Sequence, residues 1–366
     1  MISKIVTLGD VCNKGSSNIA QKDLEDRDGI YPIYGAAGYI KNVDFAHQDK
    51  PYLAVVKDGA GIGRVMKLPA NSSIIGTMQY ILPKGNIDID YLYFALQYMN
   101  LSKYFSGSTI PHIYFRDYQK EKLPLPELSE QQRKAYVLLR IEQLIECYHQ
   151  QLTKLDELVK SQFVEMFGDL ETNPKGYEQR KLGSLANKIS DGVHAKPEYT
   201  EMGRPFISVV NINKGVIDFE ECKFVSEDAY QKMIKSTHPE RGDILYTKVG
   251  ATYGIPAYVD TDTEFCLYVS VCLIKPKHDE IDARFLALSM SMPYIKRQAD
   301  SRIKGIGVPD LHLNQIREFD VICPPRHEQE AFVTFVEQID KSKLVVKQSL
   351  EKLEMLKKSL MQQYFG

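Results

Sequence analysis

Two stretches of the chain place apolar residues at every third or fourth position, with polar residues between them. This spacing puts the apolar side chains on one face of an α-helix, where they can pack as a seam against a partner helix. The predicted seam residues are Ile141, Ile145, Tyr148, Leu152, Leu155 and Val159 in the first stretch and Ile339, Val346, Leu350, Leu353 and Leu360 in the second. Lys343 and Lys357 also fall on the second seam, so the pattern favours a two-helix pairing with frayed stretches over a long ideal coiled coil.

The two stretches are copies of one repeat. Every position from Pro111 to Gly168 has a counterpart between Pro309 and Gly366, without a gap, because 309 − 111 and 366 − 168 both equal 198. Surface loops tolerate insertions, whereas a helix that must stay in register does not, so a fixed length over this distance indicates paired helices. The alternative is two ordinary core helices of one large domain.

A strand-rich region precedes each helix. Tyr52–Val56 is typical of the short apolar segments there, and turns rich in Gly, Pro, Asn and Asp separate these segments. Residues 90–99 have helical spacing, and their pattern returns in the second region. The two regions differ by insertions, chiefly within 192–245, so we expect two homologous domains with variable loops.

The pattern therefore predicts an α/β (α+β) fold with two homologous globular domains, each followed by a long helix, and with the two helices paired antiparallel as a coiled-coil-like spacer. The predicted boundaries are 1–125 for the first globular domain, 126–168 for the first spacer helix, 169–323 for the second globular domain and 324–366 for the second spacer helix.

Composition narrows the class of protein. The chain has 366 residues, with 46 Lys plus Arg against 48 Asp plus Glu, so any DNA site must be local rather than spread over the molecule. The six cysteines form no Cys-x-x-Cys pair, and we interpret them as reduced core residues of a cytoplasmic protein. The start of the sequence has no signal-peptide pattern. The longest apolar run, Phe265 to Ile274, is half the length needed to span a bilayer, and its β-branched residues predict a buried strand.

Signatures of catalysis are missing from the sequence. Gly59, Gly61 and Gly63 do not have the spacing of a dinucleotide fingerprint and predict a tight hairpin. No Walker-type phosphate loop occurs, and the Cys323-Pro324-Pro325-Arg326 stretch lacks the residues that an amino-methyltransferase motif needs around its prolines. We predict no catalytic residues and no metal site in this chain.

Polar and aromatic residues in loop-like stretches are candidates for contact with nucleic acid. Histidines and amides can hydrogen-bond base edges, cations can contact phosphates, and tyrosines can stack on bases, although ordinary solvation or packing explains such residues equally well. The predicted DNA-binding residues are Tyr34, Lys41, Lys57, Arg64 and His112 in the first domain and His194, Lys196, Asn211, Asn213, Lys214, Lys248, Tyr253, Arg302 and Lys304 in the second.

The order of these motifs resembles the specificity subunit of type I restriction-modification enzymes. The resemblance rests on two globular regions, each followed by prolines, a Glu-Gln pair and a long helix that ends in Phe-Gly. It also rests on short sequence motifs such as Ser190-Asp191-Gly192-Val193-His194 and Arg241-Gly242-Asp243-Ile244-Leu245. It covers essentially the whole chain, although the first globular region is shorter than the second.

The resemblance implies a non-catalytic subunit whose two domains each recognise one half of a split double-stranded DNA target. Its implied partners are two modification (methyltransferase) subunits and a restriction (translocase and nuclease) subunit where one exists, and S-adenosylmethionine, ATP and Mg would act in those chains. No cofactor is expected in this chain. Two other functions are consistent with the residues: a single-chain DNA-modifying enzyme or a fragment of one, and a structural coiled-coil adaptor that does not bind DNA.

Overall fold

The computed structural model describes residues 4–107, 111–213, 215–303 and 307–366, with the side chain of residue 213 excepted. The chain forms two compact units. Unit 1 comprises Met1–Gln151 and Val345–Gly366, and unit 2 comprises Leu152–Leu344. Below, head 1 is the part of the chain before the first long helix, and head 2 is the part between the two long helices. Each unit contains one head and segments of both long helices.

Head 1 is built mainly from short strands. Its elements are β1 (Lys4–Thr7), α1 (Leu8–Val11), β2 (Cys12–Ser16), β3 (Tyr31–Gly35), β4 (Gly38–Val43), β5 (Tyr52–Val56), β6 (Val65–Leu68), β7 (Ser73–Ile74), β8 (Met78–Pro83), α2 (Ile89–Met99), α3 (Phe115–Tyr118) and β9 (Lys122–Leu125), followed by the long helix α4 (Leu128–Phe167). Within the described part of head 1, the sheets have the orders β2-β8-β5-β6, β4-β3-β7 and β1-β9.

The central strand of head 1 is β5, and all of its residues are buried. Successive side chains of a strand point to opposite faces. Leu53 and Val55 accordingly pack with Phe94 of α2 in one apolar cluster, while Tyr52 and its alternate neighbours pack with Tyr80 in another. The strand predicted over 52–56 is therefore confirmed, and it is buried on both faces because a helix covers one side and a second sheet the other.

Head 2 repeats this plan. Its elements are β10 (Glu178–Lys181), β11 (Ala186–Asp191), β12 (Arg204–Ile207), β13 (Ile212–Asn213), β14 (Val216–Ile217), β15 (Lys223–Val225), α5 (Glu227–Met233), β16 (Ile244–Thr247), β17 (Pro256–Tyr258), β18 (Cys266–Leu267), β19 (Val271–Pro276), α6 (Ala283–Met290), α7 (Pro293–Arg302), α8 (Leu313–Arg317) and β20 (Asp320–Cys323), followed by α9 (Arg326–Phe365). The sheet orders in its described residues are β11-β19-β16-β17, β15-β12-β18, β10-β20 and β13-β14. The first three match those of head 1 strand for strand, so the prediction of two homologous α+β domains is confirmed.

The helices α4 and α9 have the same length, 40 residues each, and pack antiparallel within each unit. In unit 1, Leu138 lies in the same core cluster as Met361, and Lys357 forms an ion pair with Glu142. In unit 2, residues near the end of α4 pack with residues near the start of α9, and Lys343 forms an ion pair with Asp156. The two lysines on the seam thus meet carboxylates of the facing helix.

The predicted seam is buried in part. Val159, Ile141 and Val346 are buried, whereas Ile145, Tyr148, Leu152, Leu155, Ile339, Leu350, Leu353 and Leu360 are half-buried. A pair of helices without further neighbours covers only one stripe of each helix, which explains this intermediate exposure.

A buried glutamine ties each long helix to its head. The Gln131 carbonyl oxygen accepts a hydrogen bond from the backbone N–H of Asp88 at 2.9 Å, and its amide donates to the Pro126 carbonyl at 2.8 Å. Asp88 is the N-cap of α2. Gln329 repeats both contacts with Asp282, the N-cap of α6, and with Pro324. Both glutamines are almost fully buried, which fixes the start of each long helix against the cap of a core helix.

Two sequence interpretations need correction. Cys147 is exposed on α4, and Cys222 and Cys323 are only half-buried, so the six free cysteines are not all core residues. The apolar run from Phe265 to Ile274 is not one strand, because a turn separates β18 from β19. Over the described residues, none of the helices combines the length and the apolar character that crossing a membrane requires.

Candidate nucleic-acid interface

A glycine-rich hairpin projects from the central sheet of each head. In head 1 it connects β5 to β6 and contains Gly59, Gly61 and Gly63, whose φ angles are 82°, 85° and 81°. At Gly63 an added Cβ would lie 2.5 Å from the backbone nitrogen of Ser102, so glycine is required there for space as well as for conformation. In head 2 the hairpin connects β16 to β17. The predicted tight hairpin is confirmed in head 1, and head 2 contains its equivalent.

A short extended segment runs beside each hairpin and is held by the same backbone hydrogen bonds. In head 1, the N–H of Gly59 donates to the Pro111 carbonyl at 2.9 Å, and the N–H of Ile113 donates to the Lys57 carbonyl at 2.9 Å. In head 2, Gly250 donates to Pro309 and Leu311 donates to Lys248, each also at 2.9 Å. The two heads therefore contain one backbone frame, built twice from equivalent residues.

On the head 1 frame, charged and aromatic side chains form a continuous row. Lys57 Nζ lies 3.9 Å from a carboxylate oxygen of Asp58, which also contacts the ring of His112. The His112 ring packs on Tyr114 with centroids 4.1 Å apart, and the Arg116 guanidinium lies 4.6 Å from the centre of the Tyr114 ring. A cleft of ≈ 610 Å³ opens beside this row and is lined by Asp58, Gly59, Thr77, Ser106, Gly107, His112 and Tyr114.

The protonation of His112 depends on its neighbours. Burial of the ring lowers the pKa of His112 from its ordinary value of 6.5, and the positive charge of Lys57 lowers it further. Both effects favour the neutral form of the ring. A neutral imidazole has one donor and one acceptor nitrogen, which suits it to hydrogen bonding with a polar ligand.

On the head 2 frame, Lys248 is buried between two carboxylates. Its Nζ donates to an oxygen of Asp310 at 3.3 Å and lies 3.7 Å from Asp191, while His194, an exposed residue, lies 4.0 Å from the same Asp191. Burial raises the pKa of Asp191, and Lys248 opposes that rise. The structure thus brings His194 and Lys248 to the same carboxylate. Only 6% of the Lys248 side chain is exposed, and its contact with DNA stays a prediction.

Several other candidates have structural partners within their own head. Lys41 Nζ lies 2.6 Å from Asp28 and donates to the Leu24 carbonyl at 2.9 Å. Arg302 donates to backbone carbonyls of Gln298 and Glu318. Both cations therefore stabilise loops of their own head, and nothing in these contacts supports a role toward a ligand.

The candidate tyrosines and Asn211 are also engaged internally. Tyr34 is half-buried and packs against Tyr39 and a core cluster of head 1. The Tyr253 hydroxyl donates a hydrogen bond to Asp300, and the Lys296 ammonium lies over the Tyr253 ring. Asn211 is buried and accepts hydrogen bonds from the backbone and hydroxyl of Ser208 at 3.1 Å. Asn211 therefore holds its own loop in shape, and its contact with DNA stays a prediction.

Arg64 and Lys196 are exposed, and their contact with DNA stays a prediction. Lys196 lies 5.7 Å from the centre of the Tyr199 ring. Lys214 and Lys304 lie outside the described residues, as does the side chain of Asn213.

Sequence reasoning missed the residues that organise both clusters. Asp58 and Tyr114 complete the row in head 1, and Asp191 and Asp310 enclose Lys248 in head 2. The repeat could have pointed to one of them. With the fixed offset of 198, Asp310 is the counterpart of His112, which was already a predicted DNA-binding residue.

Comparison with known proteins agrees with this architecture. The family model described as type I restriction modification DNA specificity domain matches residues 3–157 and 174–355. The chain is 24% identical to the type I restriction enzyme MjaVIII specificity subunit of Methanocaldococcus jannaschii over 98% of this chain and 91% of that protein. It is 26% identical to the type I restriction enzyme EcoBI specificity subunit of Escherichia coli over 64% of this chain and 54% of that protein.

Two solved structures have a similar fold. The S subunit of a type I restriction-modification system from M. genitalium has a TM-score of 0.64 and 17% identity, over 99% of this chain and 96% of that one. A chain from a study of complex assembly and conformational transition of the type I R-M system has a TM-score of 0.56 and 14% identity, over 99% and 97%. Because the family model covers most of the sequence in two blocks, one for each head, the chain belongs to the family of type I restriction modification DNA specificity domains.

Proposed function

We propose that this chain is the DNA sequence-recognition subunit of a type I restriction-modification enzyme, in which head 1 recognises one half of a split duplex target and head 2 the other half. The observation that carries the proposal is the duplicated frame. Both heads hold the same extended segment beside the same glycine hairpin, yet the polar side chains on the two frames differ. Such an arrangement suits two domains that bind one kind of ligand, duplex DNA, at different base sequences.

The chemistry of the exposed groups supports a DNA ligand. His112 and His194 lie at the two frames and offer ring nitrogens for hydrogen bonds, while Arg64 and Lys196 are exposed cations that can contact phosphates. Because the net charge of the chain is near zero, these local groups rather than an overall positive field would have to supply the contacts.

The long helices supply the spacing and the docking surface in this proposal. Its domain division is 1–125, 126–168, 169–323 and 324–366, with the second and fourth segments as spacer helices. Leu158 and Leu356 occupy equivalent repeat positions on α4 and α9, and they are 44% and 46% exposed. Matched exposed leucines suit a partner that binds both helices in the same way, and two modification subunits would be such partners.

Catalysis belongs to the partner chains in this proposal. Methyl transfer from S-adenosylmethionine would occur in the modification subunits, and ATP-driven, Mg-dependent cleavage in a restriction subunit where the host has one. The chain would act in the cytoplasm, where it meets the host DNA.

A reconstitution tests the proposal. The full chain, combined with the modification subunit of its host, is incubated with S-adenosylmethionine and a library of random duplexes, and methylated adenines are mapped. We expect one split, asymmetric target, and no methylation by either chain alone. Methylation by this chain alone would favour a single-chain enzyme, and reconstituted methylation without any sequence preference would contradict the recognition role.

A further inference from the structure

The extended segments beside the two hairpins alternate between buried and outward side chains. In head 1, Ile113 and Phe115 are buried. In head 2, Leu311 is buried and Leu313 half-buried at the equivalent positions. The positions before, between and after them are turned away from the core: the first two of each head alternate with the buried residues as in an extended chain, and the third is the second residue of the short helix that follows, α3 or α8. They are His112, Tyr114 and Arg116 in head 1 and Asp310, His312 and Asn314 in head 2.

The anchoring residues are apolar in both heads, whereas every outward residue differs. The backbone hydrogen bonds from Gly59 and Gly250 hold both segments in the same conformation, so the differences do not arise from the frame. A structural requirement on an outward position would select similar residues in two domains with one topology. Different hydrogen-bonding groups on one frame are what two domains need in order to recognise different bases.

We propose that these outward residues read base edges, with Arg116 recognising a guanine in one half-site and Asn314 recognising an adenine in the other. The assignment rests on the proposed DNA-recognition function. An arginine can make two parallel hydrogen bonds to the O6 and N7 atoms of guanine, and an asparagine can make two to N6 and N7 of adenine. Both pairings use the major-groove edge, where each base pair presents a distinct pattern.

The local geometry prepares Arg116 for this contact. Its side chain is 74% exposed, so the guanidinium can reach a ligand, and it lies over the ring of Tyr114 at 4.6 Å. Asp117 approaches it at 3.7 Å. Tyr114 packs in turn on His112, which Asp58 contacts. This row restricts the arginine to part of its rotamer space before DNA binds, which lowers the entropy lost on binding.

Asn314 is exposed on α8, and only its side-chain oxygen has a partner among the described residues, the backbone N–H of Gln315 at 2.9 Å. The oxygen retains a second lone pair, and the amide nitrogen has two N–H groups available for a base. Asp310, although paired with Lys248, is 46% exposed and can accept a hydrogen bond from the amino group of a cytosine.

Two single substitutions test the assignment in the reconstituted complex with the host modification subunit. Arg116→Gln exchanges the guanine-reading group for one that pairs with adenine, and Asn314→Ala removes the second group. Arg27→Ala is the control, because Arg27 is a 53%-exposed arginine of head 1 that pairs with Asp44 away from the frame. Thermal unfolding of each variant checks that the exposed substitutions leave the fold intact.

At one base position, the original target has guanine and the competing targets have another base. We expect Arg116→Gln to reduce methylation of the original target relative to these competitors by about 5- to 150-fold, with adenine preferred at that position. The other half-site should stay unchanged. Asn314→Ala should relax one position of that other half-site, and Arg27→Ala should change neither.

Two results would overturn the assignment. Unchanged half-sites in both variants would show that these residues do not read bases. Equal weakening at all sequences would make Arg116 a phosphate contact. Failure of the unsubstituted complex to show any split target would instead overturn the proposed function itself, which separates that failure from an error in the assigned residues.

Discussion

Lys357 on α9 donates a hydrogen bond of 2.6 Å to Glu142 on α4, across the antiparallel helix pair of unit 1. Both side chains are about three-quarters buried, so the pair is shielded from solvent more than an ordinary surface ion pair. A lysine on an apolar seam is tolerated here because the facing helix supplies a carboxylate.

Reversing one member of this pair should destabilise unit 1. Lys357→Glu places two carboxylates against each other, and we expect a loss of about 1–2 kcal/mol in the free energy of unfolding. The double variant Glu142→Lys with Lys357→Glu should recover much of the loss. Denaturant unfolding of the four proteins of this double-mutant cycle measures the coupling, and additive effects would show that the two groups do not interact.

A charge on the predicted seam should weaken the helix pairing. Leu152→Asp or Leu353→Asp puts a carboxylate at a half-buried apolar position, and we expect each to cost about 1–3 kcal/mol. Sequence-specific methylation in the reconstituted complex should fall while the heads keep their fold. Leu144→Asp is the matched control, since Leu144 is exposed on the same helix. Full methylation by the seam variants at growth temperature would argue against a paired scaffold.

Replacing a buried glutamine should lower the stability more than replacing its exposed neighbour. Gln131→Leu leaves the backbone N–H of Asp88 and a nearby carbonyl without a partner, so we expect a loss of about 1–3 kcal/mol and a lower Tm. Gln329→Leu should act alike in unit 2. The control is Gln132→Leu, at an exposed position. Equal Tm values for Gln131→Leu and Gln132→Leu would show that the attachment contributes nothing.

A chain cut after Gly168 should pair with a second copy of itself. Phe365 packs on Tyr91 in unit 1 with ring centroids 5.0 Å apart, and Phe167 is its equivalent in the repeat. The helix of a second copy can therefore supply Phe167 where Phe365 is lost. Light scattering should report a dimer, and the complex with modification subunits should methylate an inverted repeat of one half-site. Recovery of the original asymmetric target would contradict this.

Lengthening both helices by one heptad should widen the target. Insertions after Gln150 and Gln348 face each other, because the register of the Glu142–Lys357 pair brings Gln150 opposite Ser349. Seven residues add about 10 Å, which corresponds to about three base pairs of spacer. Affinity should fall, because three base pairs also rotate the DNA by nearly a third of a turn. Methylation mapping should return the same half-sites at a wider spacing. Altered half-sites at the original spacing would show that the helices take part in base recognition.

The helices were predictable from the sequence because one periodicity and one offset determine them. The surroundings of the candidate site were not. Lys248 meets Asp191 and Asp310, which are far from it along the chain, and only the folded sheet brings the three together. Asparagine is common in surface loops, yet the side-chain oxygen of Asn211 accepts a hydrogen bond from the backbone N–H of Ser208 in its own turn. Local sequence does not distinguish these two uses of a polar group.

The segment Val345–Gly366 belongs to unit 1, although the ribosome synthesises it after all of Leu152–Leu344, which forms unit 2. A ribosome that adds 5–20 residues per second needs about 10–40 s for the intervening part. During that interval the nascent head 1 exposes the apolar surface that Met361, Tyr364 and Phe365 later cover. Head 2 can therefore complete its core before head 1 does, which reverses the usual order of co-translational folding. The uncovered apolar surface of head 1 is then a defined surface that a chaperone can protect while translation continues.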